Sequence, residues 1–288
     1  LNYVTAAGYG VDEDRFNELW PASVHVVGKD IVRFHAVIWP AMLMAAGLPV
    51  PHRVFAHGWL LVGGEKMSKS KANGIHPTDL VEVFGSDAYR YYFSRALTFG
   101  QDGSISWEDI AARYQAELAN GFGNLASRLA AMVGKYFDGA LPAAGEHTAA
   151  ETGIVDLVRE AVADADQAMD ALAPQDAVAA LWRIVDALNG YITEQEPWAV
   201  AKDESQRERL GTILNTVAEG IRVLAVTLHP VMPKATTILW DSLGVIDALG
   251  AIDEQRIDAV AAWGQIPVGA TITKTPSLFP RLELDNQK

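Results

Sequence analysis

The run Lys66-Met67-Ser68-Lys69-Ser70 sets two lysines three residues apart, just past the pair Gly63-Gly64 and just before Asn73-Gly74. Lysines so placed can put point charges on the oxygens of a triphosphate, while flanking glycines let the loop close and open. The reaction this suits is in-line displacement at a phosphorus, where catalysis is mostly positioning plus cationic stabilisation of the departing pyrophosphate. By residue type alone the same lysines could form a solvated surface turn. Upstream, Gly28 and Asp30 follow a β-rich stretch. A glycine there lets the backbone approach a ligand, and an aspartate at a helix start can accept hydrogen bonds from ribose hydroxyls. It could equally be an ordinary helix cap.

The elements that must hold these residues alternate between strand and helix over residues 20–108. Ser23-Val24-His25-Val26-Val27 is β-rich and ends at Gly28. Asp30 is expected to cap a helix running toward Gly47, with Pro40 as a kink or break. Val54 to Val62 is expected as a single second strand, closed by a tight turn at Gly63-Gly64. Pro77-Thr78-Asp79 and Ser86-Asp87 are helix starts.

From Ser106 the apolar period changes from two to 3.6. Ser106 can cap the amide of Asp109, and a long helix then runs to about Phe137, interrupted at Gly121 and Gly123 and stopped at Gly139. Residues 140–150 are a linker or loop. Val178, Leu181, Trp182, Val185 and Leu188 make one apolar stripe; Leu210, Ile213, Leu214, Val217, Ile221, Leu224 and Leu228 make another. Such helices with short breaks predict a bundle. A last bundle helix over Pro233–Leu243, a helix near Glu254–Ala262 and an extended tail follow. The fold class is α/β followed by an all-α bundle, in three segments: 1–105, 106–250 and 251–288.

The chain has 288 residues, half of them hydrophobic, which is enough for a sizeable core. It has no cysteine, so disulfides and thiolate metal sites are excluded, in keeping with a cytoplasmic location. No signal peptide is visible, and no stretch reads as a membrane span. The formal charge of −13 is concentrated in residues 109–250, so the chain is expected to be a poor nonspecific binder of nucleic acid. Any RNA contact must rely on a local face and on base recognition.

The lysine loop resembles the KMSKS signature of class I aminoacyl-tRNA synthetases. Gly28-Lys29-Asp30-Ile31-Val32-Arg33-Phe34-His35 fits the G-x-D-x-x-x-x-H pattern of the same enzymes. The surrounding text, GKDIVRFHAVIWPAMLMAAGLP and HGWLLVGGEKMSKS, is similar to the methionyl-tRNA synthetase family. The resemblance implies the second half of a class I Rossmann-type catalytic domain, followed by a helical-bundle anticodon-binding domain. It implies ATP with Mg2+ as cosubstrate, methionine as substrate, and cognate tRNA bound through its anticodon and acceptor end. Lys66 and Lys69 are the implied catalytic residues, with Lys69 the heavier. Gly28, Asp30, His57, Leu60, Lys66, Met67, Ser68, Lys69 and Ser70 are the implied ATP-binding residues, Leu60 through its backbone. Tyr3, Ile31, His35 and Trp39 would line a methionine pocket, whose aromatic walls and single polar tip suit a thioether.

The resemblance continues into the helical half. Asn124 and Arg128 stand one turn apart on one helix face, an amide and a guanidinium suited to unstacked anticodon bases. Tyr191-Ile192-Thr193-Glu194-Gln195-Glu196-Pro197-Trp198 resembles the segment whose tryptophan stacks on an anticodon base. The tail from Trp263 to Glu283 resembles the end of the bacterial enzymes, where it folds back toward the catalytic domain. No dimerising module follows, so a monomer is expected, with no metal site and no membrane association. None of the seven histidines lies in a His-x-Gly-His element. The chain is therefore expected to be the second half of its enzyme, with the N-terminal half as obligatory partner. Relatives that activate isoleucine, valine, leucine or cysteine, and a noncatalytic tRNA-binding module, are the competing expectations.

Overall fold

The computed structural model describes residues 2–67 and 75–282, with Lys66 described by its backbone alone. The chain divides into two compact units, Leu1–Gly74 with Thr98–Ile105, and Ile75–Leu97 with Ser106–Lys288. The units do not follow one cut along the sequence, because residues 75–97 pack with the helices that begin after residue 105.

In the first unit, α1 (Asn2–Ala7) leads to α2 (Glu13–Leu19), which is capped by Asp12 through the amide of Arg15. Val4, Phe16, Trp20, Trp39 and Leu43 form its aromatic core. Strand β1 (His25–Gly28) crosses over to β2 (Val54–His57) through a 3-10 turn at Lys29–Ile31, a π-helical turn at Phe34–Ile38 and α3 (Trp39–Ala45). The two strands pair in parallel with Gly28 opposite His57. One sequence expectation changes here. The crossover helix starts from Gly28 with no side-chain cap, so Asp30 sits inside the first turn and does not close it. Pro40 does not end the helix. The widened turn just before it, where the Trp39 amide reaches back to the Phe34 carbonyl, accommodates the proline ring and its missing donor.

The strand expected over Val54–Val62 breaks at Gly58 into β2 and β3 (Leu60–Val62), which lie in different sheets. The cause is a close backbone approach: a Cβ on Gly58 would fall 2.1 Å from the Gln101 carbonyl oxygen and 2.4 Å from the Asp102 nitrogen. β3 pairs antiparallel with β4 (Glu65–Lys66) and in parallel with β5 (Gly103–Ser104). The β3–β4 hairpin turns on Gly63 and Gly64 with φ of 61° and 80°, positive values that glycine adopts without strain.

The second unit is helical. Helices α4 (Pro77–Phe84) and α5 (Ser86–Arg95) precede α6 (Trp107–Arg113), whose Ser106 cap accepts from the Asp109 amide at 3.1 Å as the sequence predicts. The helix continues through a π-helical stretch, Tyr114–Gly123, into α7 (Asn124–Phe137), and left-handed Asp138 ends it. Helix α8 (Ala149–Asp170) opens on a reciprocal Thr148–Glu151 cap; α9 (Pro174–Gln195) and the short α10 (Pro197–Val200) follow. Then come α11 (Arg207–Leu228), α12 (Pro233–Ser242), α13 (Ile246–Leu249) and α14 (Ile257–Val260). The helix expected over Glu254–Ala262 is thus reduced to a single turn.

Helix α11 is apolar and long enough to cross a bilayer, but it forms the buried axis of the bundle. It buries one ion pair, Glu219–Arg222 at 2.9 Å, with exposures of 0% and 1%. That pair anchors the tail: Arg222 donates to the carbonyls of Val260 and Ala262, and Glu219 accepts from the Ile266 amide. Further on, Thr271 bridges to Ala140, and the Tyr114 hydroxyl donates to the Pro280 carbonyl. Breaking a buried pair from one side strands the other charge, at a cost of about 3–5 kcal/mol. Arg222→Met should therefore lower stability by about that amount in urea titrations; a loss of under about 1 kcal/mol would show the tail does not depend on this pair.

Candidate functional site

The π turn and the start of α3 bring Tyr3, His35 and Trp39 together, although Tyr3 lies 32 residues before His35. The His35 Nδ1 stands 3.1 Å from the Ile31 carbonyl, which can only accept, so the proton resides on Nδ1. Nε2 then accepts from the Tyr3 hydroxyl at 2.9 Å. The Trp39 ring meets Tyr3 edge-on at 5.6 Å. These residues, with Asn2, Phe34, Ile38 and Met42, line an open cavity of about 420 Å³. Its walls are aromatic and aliphatic, and its polar tip is the Tyr3–His35 pair; this is chemistry that fits a short, soft, apolar side chain. Ile31 contributes its carbonyl to orient His35, and its side chain is not among the walls.

Sequence reasoning missed His25 here. The Trp39 indole N–H donates to His25 Nε2 at 3.2 Å, so His25 is neutral with its proton on Nδ1. Burial, and then the neighbouring His35, hold the His25 pKa below its ordinary value. No local signal marks it, since it sits in an ordinary strand. The walls Phe34, Ile38 and Met42, which sequence reasoning also did not single out, repeat every four residues along the crossover.

Gly28, Asp30 and His57 meet at the carboxyl ends of the two parallel strands, the position at which open α/β sheets take ligands. A Cβ on Gly28 would lie 2.6 Å from the Asp30 carboxylate oxygen and 3.9 Å from the His57 ring, so glycine keeps the space before both side chains open. Phe99 lies parallel to Phe55 at 4.6 Å and to His57 at 6.4 Å. Lys29 is held by Asp102 at 2.7 Å and lies 4.1 Å over the Trp59 ring; the same carboxylate accepts from the Trp59 amide at 2.8 Å. One aspartate thus ties the Gly28–Asp30 turn to the His57–Leu60 connection. The Leu60 carbonyl accepts from the Met67 amide at 3.1 Å, and Lys66 pairs opposite Leu61, so the hairpin leads straight to the lysine run. Ser68, Lys69 and Ser70 lie outside the described residues.

In the helical unit, Asn124 is exposed and Arg128 half-buried, one turn apart on α7. Trp198 rides on α10, just past the left-handed Glu196 and the buried Pro197, and keeps 42% of its surface exposed, so it does not plug the bundle. Among the described residues, no group of three His, Cys, Asp or Glu side chains could hold a metal ion.

A crossover that feeds an apolar pocket beside a strand-end glycine–aspartate pair, followed by a helical bundle, defines a class I aminoacyl-tRNA synthetase. Residues 1–130 match the class I tRNA synthetases (M), and residues 141–288 match the anticodon binding domain of methionyl tRNA ligase. The chain belongs to the methionyl-tRNA ligase family. A methionine–tRNA ligase of Streptomyces coelicolor is 58% identical over 98% of this chain, and one of Caldanaerobacter subterraneus is 41% identical over 99%. The Mycobacterium tuberculosis methionyl-tRNA synthetase in complex with methionyl-adenylate superposes with a TM-score of 0.90 at 39% identity, over 97% of this chain and 54% of that one. The chain spans about half the length of the curated relatives it matches.

The folded His25 resists a proton that the unfolded chain accepts near pH 6.5, so the stability it contributes is full above that pH and is lost as the pH falls toward the folded value. Thermal unfolding at about pH 7.5 and about pH 5.5 should show this acid-linked loss, and His25→Asn should reduce it. Equal losses in both proteins would show that His25 is not its source.

Proposed function

We propose that the protein to which these residues belong is a methionine–tRNA ligase. The methionine carboxylate attacks the α-phosphorus of ATP and pyrophosphate leaves; a hydroxyl of the terminal tRNA ribose then takes the methionyl group and AMP leaves. The observation that carries this is the open aromatic-walled pocket at Tyr3, His35 and Trp39, two of which lie on the crossover that starts at Gly28 and Asp30. The pocket would hold the methionine side chain, with Ile31 acting through its carbonyl. Gly28, Asp30, His57 and Leu60 would receive the adenosine half of ATP.

Lys66 and Lys69, with Met67, Ser68 and Ser70, would neutralise the departing pyrophosphate, Lys69 foremost. Magnesium enters this reading as the counter-ion of the triphosphate. Asn124, Arg128 and Trp198 would meet the anticodon, in keeping with the exposure of Asn124 and Trp198. In this division of labour, residues 1–105 serve activation, 106–250 the anticodon, and 251–288 a closing tail. The remaining half of the catalytic site, with a His-x-Gly-His-like element, would lie in the N-terminal half. The enzyme would act as a monomer in the cytoplasm, away from membranes.

Methionine-dependent ATP–pyrophosphate exchange tests the reading. The full-length protein should exchange, Lys69→Ala should slow it by about 100-fold or more, and these 288 residues alone should not exchange. Exchange driven equally well by isoleucine, valine, leucine or cysteine would reject the substrate assignment. For the anticodon face, Trp198→Ala should weaken cognate tRNA binding by about 10-fold, as loss of one stacked base implies, and leave exchange within about twofold. Unchanged tRNA affinity would remove Trp198 from the interface.

A further inference from the structure

Glu151 is completely buried where α8, α9 and α11 meet, and donors from Thr148, Tyr191 and Arg209 converge on its carboxylate. The two terminal nitrogens of Arg209 each stand 2.8 Å from one of its oxygens. The Tyr191 hydroxyl donates to it, and so do the amide and hydroxyl of Thr148, at 2.8 and 2.7 Å. Burial on its own would raise the pKa of this carboxyl, but the donors from Arg209, Tyr191 and Thr148 outweigh it and hold the group ionised, well below the usual range.

The network reaches one residue further, and that residue gives it a use. Arg209 also donates to the side chain of Gln195 at 2.5 Å. Tyr191 and Gln195 are the first and last residues of the final turn of α9. After Gln195 the chain bends through left-handed Glu196, buries Pro197 and presents Trp198. A buried ion pair adds little stability over apolar packing of the same volume, whereas it imposes geometry on whatever it holds. An exposed indole on a short helix has little of its own to orient it. We infer that the Glu151–Arg209 pair, acting through Tyr191 and Gln195, is a positioning device for Trp198, fixing the last turn of α9 so that the indole face is presented to a nucleobase. This rests on the anticodon reading above. Glu151, at 0% exposure, cannot itself touch RNA.

The test is a double-mutant cycle in the full-length enzyme, with Glu151→Gln, Gln195→Met and Trp198→Ala, alone and paired, read by cognate tRNA affinity and ATP–pyrophosphate exchange. Gln195→Met leaves the Glu151–Arg209 pair intact, so it reports even if Glu151→Gln fails to fold. Each single change at 151 or 195 is expected to weaken tRNA binding about fivefold with exchange unchanged, and to add nothing in the Trp198→Ala background. With 5-fluorotryptophan, the 19F resonance of Trp198 should shift or broaden in Gln195→Met. A folded Gln195→Met protein with unchanged affinity, or losses that multiply with that of Trp198→Ala, would overturn the inference while leaving the anticodon reading standing. If Trp198→Ala alone has no effect on tRNA binding, Trp198 leaves the anticodon interface and the positioning role fails with it.

Discussion

The four-residue parallel ladder between β1 and β2 determines most of what the first unit can do. Parallel neighbours cannot be joined by a tight turn, so the chain must leave Gly28, cross over the sheet and return. That crossover carries His35 and Trp39 into the pocket, and its first turn carries Asp30. The register then sets His57 opposite Gly28, so the two ends from which a nucleotide would be held are neighbours. One pairing thereby fixes both the apolar pocket and the strand-end cradle, which are the two requirements of an enzyme that joins an amino acid to a nucleotide.

Around this ladder the polar groups are few and highly constrained. Trp39, His25, Tyr3 and His35 each have a hydrogen-bond partner, so the polar tip of the pocket is held in place. Asp102 performs the equivalent task for the backbone, tying the turn after β1 to the connection after β2. In both places position is secured by groups that stand behind the surface a ligand would meet.

The helical unit handles charge in the same manner. A chain with a net charge of −13 gains nothing from bulk attraction to RNA. Two of its arginines, the partly buried Arg209 and the buried Arg222, are spent on the buried carboxylates of Glu151 and Glu219. Recognition of a nucleic acid by such a surface would have to come from a few oriented contacts, as the proposed role of the exposed Trp198 requires. The Glu219–Arg222 pair has a different task, since its remaining hydrogen bonds hold the returning tail.

The lysine run, the glycine–aspartate pair, the change of period at Ser106 and the stripes of α9 and α11 were all legible in the amino-acid sequence. Each depends on spacings of a few residues: a hydroxyl reaching an amide three positions on, paired glycines with positive φ, apolar residues one turn apart. The sequence by itself therefore determined the family, the order of α/β and helical parts, and most helix starts. Only the tertiary structure decided that the strand at Val54–Val62 breaks at Gly58, because the obstruction is the backbone of Gln101 and Asp102. It also decided that Gly28 and not Asp30 takes the cap position, that His25 sets the orientation of Trp39, and that Glu151 finds Arg209 58 residues away. Those outcomes depend on which segments the fold brings side by side, and local spacing carries no record of a partner that distant.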